Sequence, residues 1–190
     1  MSKRNLILLG FAAVVVAQLA VPAWMIVERE RTLRYGQVFK FRTHPVDPSD
    51  AFRGRYVWLS LEPETVKTPS GSHWTYNQKV FAVLGTDTNG FAVVKRLERV
   101  KPLNEPAVPV RTRWFNDAKG EANLEWSGLD RYYMEEGRAP KAEIAYRQHT
   151  SRTNPTCHVT VRVLGAHAVV EDLFVENQPI RAWLRKHPAK

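Results

Sequence analysis

Apolar positions are spread along this chain in two different ways. From Leu6 to Val27 the sequence runs 22 residues without an ionisable side chain, and Gln18 is the only strongly polar position. No polar face interrupts the run, so it does not fit a soluble amphipathic helix. As a helix it would span about 33 Å, enough for a hydrocarbon core of about 30 Å. Trp24 sits at its far end, where interfacial aromatics belong. Pro22 could kink the last turn, which lipid tolerates better than water does. Beyond it, Glu28 to Tyr35 reads as a short helical continuation or stalk.

After Gly36 the pattern shortens. Val38 to Arg42 alternates in part and ends at His44-Pro45, predicting a strand. Tyr56 to Leu61 predicts a second. Val80–Leu84 and Phe91–Val94 flank a polar loop closed by Asn89-Gly90, a hairpin signal. Val159–Leu164 and Ala168–Val175 flank Gly165-Ala166-His167, a second hairpin. Asp130–Glu136, stopped by Gly137, reads as a short helix. Pro140–Arg147, with Ala142 and Ala145, reads as another. Pro102, Pro106 and Pro109 mark an extended connection that should not sit in a central strand. Ile180–Lys190 is a basic, partly apolar tail expected to pack on the domain. The expected fold class is therefore mainly β (α+β): an antiparallel sheet, barrel or sandwich with one or two short helices, preceded by one transmembrane helix. The expected division is 1–27 for tail and anchor, 28–35 for the stalk and 36–190 for a single β-rich extracytoplasmic domain.

A cleaved signal peptide is the rival reading, and Val21-Pro22-Ala23 has the small residues of a cleavage site. Signal cores typically run 7–15 residues. Here Trp24-Met25-Ile26-Val27 extends the apolar run, so a retained anchor is expected. Lys3 and Arg4 favour a cytoplasmic N-terminus, and Arg29, Arg31 and Arg34 oppose it. The expected topology is N-inside, with the domain in the periplasm of a bacterial inner membrane. Lipid around residues 6–27 is then the first partner.

The formal charge is +9, from 28 basic and 19 acidic residues in 190. Such a chain is drawn to anionic head groups or other polyanions. No nucleic-acid motif accompanies the charge, so no nucleic-acid partner is expected. The one cysteine, Cys157, excludes an internal disulfide framework and reads as a buried thiol on a strand. The six histidines never fall four apart on a helix. There is no Gly-rich phosphate loop and no Gly-x-Ser-x-Gly elbow. No metal or cofactor is expected.

Two polar blocks are the candidates for function. The first, Thr43 to Tyr56, holds Asp47, Ser49, Asp50, Arg53 and Arg55. Its prolines stiffen it, and its Asp and Ser side chains can bond nearby backbone N–H groups. It is either a structural loop or a ligand-contacting one. The second, Gly128 to Gly137 followed by Glu143, would place Arg131 and Glu135 four apart on a helix. Tyr132 and Tyr133 could pack their apolar rings and keep their hydroxyls wet. Glu136 and Glu143 could serve acid–base work or bind a cation, or brace the sheet with Arg131. Trp58, Trp74, Trp114 and Trp126 could form a sugar-stacking surface, although core packing explains most tryptophans.

Pro45-Val46-Asp47-Pro48 and Phe52-Arg53-Gly54-Arg55-Tyr56-Val57-Trp58-Leu59-Ser60-Leu61 together resemble the signature of the GDYXXLXY family of bacterial membrane-anchored proteins. Gly128 to Gly137 is similar to that family's second block, and Val159 to Ile180 to its closing hairpin. Arg55 stands where the signature has Asp, and Leu61 where it ends in Tyr. The resemblance implies an anchored extracytoplasmic domain beside a multi-pass membrane partner, with no reaction attached.

The leading expectation is thus a non-enzymatic binding or accessory module of unknown ligand. Its surface would combine Asp47, Asp50, Arg53 and Arg55 with Arg131, Tyr132, Glu136 and Glu143. The alternative is a membrane-bound serine–lysine hydrolase reminiscent of signal peptidases. Ser49 would be the nucleophile and a desolvated Lys95 the base.

Overall fold

A computed structural model describes residues 3–44, 56–69, 74–116, 118–150 and 156–187. The long apolar run forms one helix, α1 (Lys3–Tyr35), which continues through Pro22 and past the charged Glu28–Tyr35 stretch. Its apolar part has no protein packed on it and is long enough to cross a membrane. The last turns behave differently. Thr32 is buried, its hydroxyl donating to the Glu28 carbonyl at 3.0 Å. Gly36 then ends the helix, its N–H donating to the Thr32 carbonyl at 2.9 Å.

From Gly36 the chain enters β1 (Gln37–Arg42) directly. The remaining elements follow in order: β2 (Tyr56–Trp58), β3 (Thr65–Lys67), β4 (Lys79–Thr86), β5 (Ala92–Glu98), β6 (Ala107–Asn116), β7 (Glu121–Glu125) and β8 (Arg131–Tyr133), then α2 (Ala139–His149), β9 (Cys157–Leu164), β10 (His167–Val175), β11 (Gln178–Pro179) and α3 (Ile180–Lys186). All ladders between these strands are antiparallel. One sheet has the order β1-β9-β10-β11, another β3-β7-β6-β4-β5, and β2 pairs with β8 alone. Bridges at Lys40/Phe91 and Thr43/Leu61 join β1 to β5 and to the chain beyond β2, so the sheets wrap into a nearly closed, barrel-like arrangement.

The core lies inside this wrap. Phe39 and Phe41 point inward from β1, with Val159, Val161 and Val163 from β9, Leu84 from β4 and Leu124 from β7. Phe41 meets Trp126 edge to face at 5.1 Å, a geometry that suits the ring quadrupoles. Helix α2 adds Ala142, Ala145 and Tyr146, and Ile180 of α3 is fully buried. Trp183 and Leu184 pack against that core, so the described part of the basic tail docks on the domain.

The mainly β, antiparallel fold agrees with the sequence pattern, as do both hairpins and α2. In the β4–β5 turn, Asp87 accepts the N–H groups of Asn89 and Phe91, and Gly90 takes φ +79°. Two expectations need correction. Asp130–Glu136 is not a helix. Arg131–Tyr133 is β8, and a turn follows it before α2. Gly128, at φ +82°, turns the chain so that Arg-Tyr-Tyr can pair with β2, and aromatic residues favour that state. The Arg131–Glu135 helical pair therefore does not exist. Arg131 faces Asp130 at 3.4 Å and Glu135 faces Arg138 at 2.9 Å. Second, Pro109 lies within β6, a central strand. It pairs with Phe81 of β4, whereas β7 pairs with β6 only from Arg111 onward. The proline thus sits where β6 has a neighbour on one side only, and its missing N–H breaks no ladder.

Candidate functional site

Strands β2 and β8 carry parts of the two polar blocks, and they pair with each other. The register sets Tyr56 opposite Tyr133, Val57 opposite Tyr132 and Trp58 opposite Arg131. Strand alternation then sorts the residues by face. Val57 and Tyr132 point into the core. Tyr56, Trp58, Arg131 and Tyr133 share the outer face.

That face is an aromatic cluster holding a cation. The Tyr56 ring lies 6.3 Å from Trp58 and 5.7 Å from Tyr133. The Arg131 guanidinium carbon stands 5.2 Å from the centre of Tyr56 and 5.4 Å from that of Trp58. A hydrogen bond with Tyr133 and the charge of Asp130 raise the Arg131 pKa further. The cluster nonetheless stays open to solvent: Trp58 is 38% exposed and Tyr133 55%. Such groups, held stiffly by a strand ladder, are suited to bind a partner surface.

Tyr132 anchors the ribbon from beneath. Its hydroxyl donates to Asp172 Oδ1 of β10 at 2.7 Å. Burial first, and the Asp172 contact second, push its pKa well above the ordinary phenol value, so it remains a donor.

Beside the ribbon is a cleft of about 270 Å³, lined by Trp58, Ser60, Glu64, Trp126, Asp130 and His44 among others. Sequence reading did not single out the group at its mouth. The Ser60 hydroxyl lies 2.8 Å from His44 Nε2 and donates to Glu64 Oε1 at 2.8 Å. The same Glu64 oxygen stands 2.8 Å from the same His44 nitrogen. A serine relay needs the serine on one imidazole nitrogen and the carboxylate on the other. Here both act on Nε2, giving a closed three-way bracket in place of a relay. Tyr146 of α2 braces it, accepting the Ser60 N–H and donating to the His44 carbonyl, each at 3.3 Å. Only spatial closure brings residues 44, 60 and 64 together, although Ser60 and Glu64 were legible as a four-residue spacing.

The other candidates are placed as follows. Asp47, Ser49, Asp50, Arg53 and Arg55 lie outside the described residues. Glu143 is bonded to Arg147 at 2.5 Å within α2, and Glu136 is exposed in the turn before that helix. Lys95 is exposed on β5, its side chain lying across Gly85. Trp58 and Trp126 line one cleft and Trp74 another. Cys157 is buried, and burial pushes its thiol up to about 12, with Glu176 adding to the effect. Among the described residues no group of three or more His, Cys, Asp or Glu side chains could hold a metal ion.

No curated protein matches this chain, and no solved structure does. A family model described as GDYXXLXY protein matches residues 18–173, from within the apolar helix into β10. The match takes in both polar blocks, including the paired β2 and β8. The chain belongs to the GDYXXLXY family.

Proposed function

We propose that the protein is a membrane-anchored binding module of the bacterial inner membrane, with a cytoplasmic N-terminus and a periplasmic domain. Its outer β2–β8 face docks on another, multi-pass membrane protein. The observation that carries this reading is the outer-face Tyr56–Trp58–Arg131–Tyr133 cluster, in which Trp58 and Tyr133 are exposed. Interface hot spots are enriched in these three residue types. Single exposed apolar residues are ordinary on a soluble surface, but three aromatic rings grouped around an arginine are not.

The junction with α1 supports the same reading. Thr32 is buried, Glu28 Oε1 lies 3.2 Å from His167 Nε2, and Arg162 donates to the Gly36 carbonyl at 3.2 Å. The end of α1 is thus part of the folded unit, and with α1 as an anchor the side of the domain turned to the bilayer would be set by that junction. A docking face held at a set height and angle loses less freedom when a membrane-embedded partner arrives.

Site-specific photo-crosslinking in intact membranes at native expression tests the proposal. A photoreactive residue at Trp58 or Tyr133 should give one discrete heavier product. The same residue at Leu103, 94% exposed and distant in sequence from both blocks, should give none. Trp58→Ala should weaken capture through Tyr133 at least tenfold. Absence of a product at both positions, or an equal product at Leu103, would count decisively against the docking face.

A further inference from the structure

A second cleft, of about 140 Å³, opens where the anchor meets the domain. Its walls are Arg29 of α1, Arg131–Tyr133 of β8, Val170–Asp172 of β10 and Arg181 of α3. Strands β8 and β10 lie side by side here but share no ladder. The β9–β10 register slips between Val170 and Asp172, leaving Glu171 as the bulged residue. Bulges bend a strand and re-aim its side chains, and this one forms a wall of the gap.

Charge in the cleft is unevenly committed. Glu171 is held by Arg162, whose Nε and Nη2 donate to it at 2.9 and 2.7 Å. Asp172 accepts the Tyr132 hydroxyl at 2.7 Å and the Leu173 N–H at 2.8 Å. Arg29 and Arg181, from different helices, have no ion-pair partner among the described residues, and both are exposed. Two uncommitted guanidinium groups thus flank a small gap, each offering a planar fork of donors. That fork matches the oxygens of a phosphate.

Position adds to the case. Arg29 lies two residues beyond Val27, the end of the apolar run, which is about 3 Å along a helix. On the anchoring reading above, the cleft opens at the depth of lipid head groups. We propose that this cleft binds a phosphate group between Arg29 and Arg181. Two sources share that chemistry: the head group of an anionic phospholipid and free inorganic phosphate.

Thermal unfolding of the full chain in dodecyl maltoside micelles tests the site and separates the sources. Dioctanoyl phosphatidylglycerol, inorganic phosphate and dioctanoylglycerol, which has no phosphate, are titrated in turn. A ligand that binds only the folded state raises the unfolding midpoint in a saturable way. Phosphatidylglycerol should do so and dioctanoylglycerol should not. Half-saturation by the lipid at a concentration at least tenfold below that of inorganic phosphate assigns the head group as the source. The reverse order keeps the phosphate site and assigns it to the free ion. The Arg29→Gln/Arg181→Gln pair should weaken the response at least tenfold. Arg34→Gln/Arg185→Gln makes the same charge change on the same two helices and should leave it intact. An Arg29→Lys/Arg181→Lys pair, which keeps the charge, covers the case in which the glutamine pair does not fold, and should respond more weakly than the native chain. No response to either phosphate-bearing probe, or an undiminished response in both the glutamine and lysine pairs, overturns the proposal. That outcome would leave the crosslinking result at Trp58 standing, because Trp58 does not line this cleft and neither Arg29 nor Arg181 lies on the β2–β8 face.

Discussion

His158 shows how one side chain ties stability to pH. It projects from β9 between two aromatic rings, stacked on Phe174 at 4.7 Å and edge-on to Phe91 at 6.2 Å. Burial first, and the Lys40 charge second, lower its pKa from the ordinary 6.5. The folded protein therefore keeps it neutral, while the unfolded chain takes up a proton near pH 6.5. The unfolded state binds more protons in that window, so stability is complete above it and falls as pH drops below it toward the folded-state pKa. The midpoint of thermal unfolding should decline between pH 7.5 and pH 5.5. His158→Phe keeps the stack and removes the proton site, so the decline should be smaller in that variant. Cys157, the neighbouring residue, gives a second check. Its buried thiol, pushed up to about 12, should resist a thiol reagent at pH 8 in the native protein and react only on unfolding.

At the level of elements, two glycines with crowded Cβ positions should differ sharply in cost. A methyl group at Gly36 would come within 2.4 Å of the Thr32 carbonyl and 3.0 Å of the Val163 backbone nitrogen. Neither group can yield without opening the α1–β1 corner. Gly36→Ala should cost about 2–3 kcal/mol in chemical denaturation. At Gly85 the close atom is Cε of the flexible Lys95 side chain, at 2.4 Å. That chain can swing away, so Gly85→Ala should cost less than about 1 kcal/mol, and the gain in strand propensity offsets part of that. The β8–β10 tie makes a third case. Tyr132→Phe deletes the donor to Asp172 and leaves a half-buried carboxylate short of one bond. A loss of about 2 kcal/mol is expected, readable by the same denaturation, with the β2–β8 ribbon loosened and capture through Trp58 weakened.

At the scale of the whole molecule, the boundary between the apolar helix and the domain does not fall at the end of the apolar run. It lies within α1, since Thr32 is buried against the sheet and Glu28 reaches His167. A chain beginning at Glu28 should therefore keep the full-length unfolding midpoint in aqueous buffer. A chain beginning at Gln37 should lose several degrees, because it exposes the surface of β9 and β10 that the last turns of α1 cover. Equal midpoints would show that those turns add nothing to the fold.

Elements whose signals are local can be read from the residues alone. An uncharged run of 22 residues forms a helix with no polar face. Turn residues such as Asp87, Gly90 and Gly165 place hairpins by satisfying nearby N–H groups or allowing positive φ. Alanines at 142 and 145 mark the buried face of α2. Long-range pairing supplies what these signals do not carry. Arg131–Tyr133 has charges and spacing that suit a helix, yet it becomes a strand because β2 offers a ladder and Tyr132 a buried seat beside β10. Pro109 enters a central strand because β7 stops short of it. The candidate site follows the same division. Arg131 and Tyr132 were legible as members of a distinctive polar block, but the aromatic face around Arg131 arises only when two segments more than seventy residues apart come into register. The Arg29–Arg181 cleft lay beyond sequence reading for the same reason, since its cations come from the first and last helices and only the closed sheet brings them together.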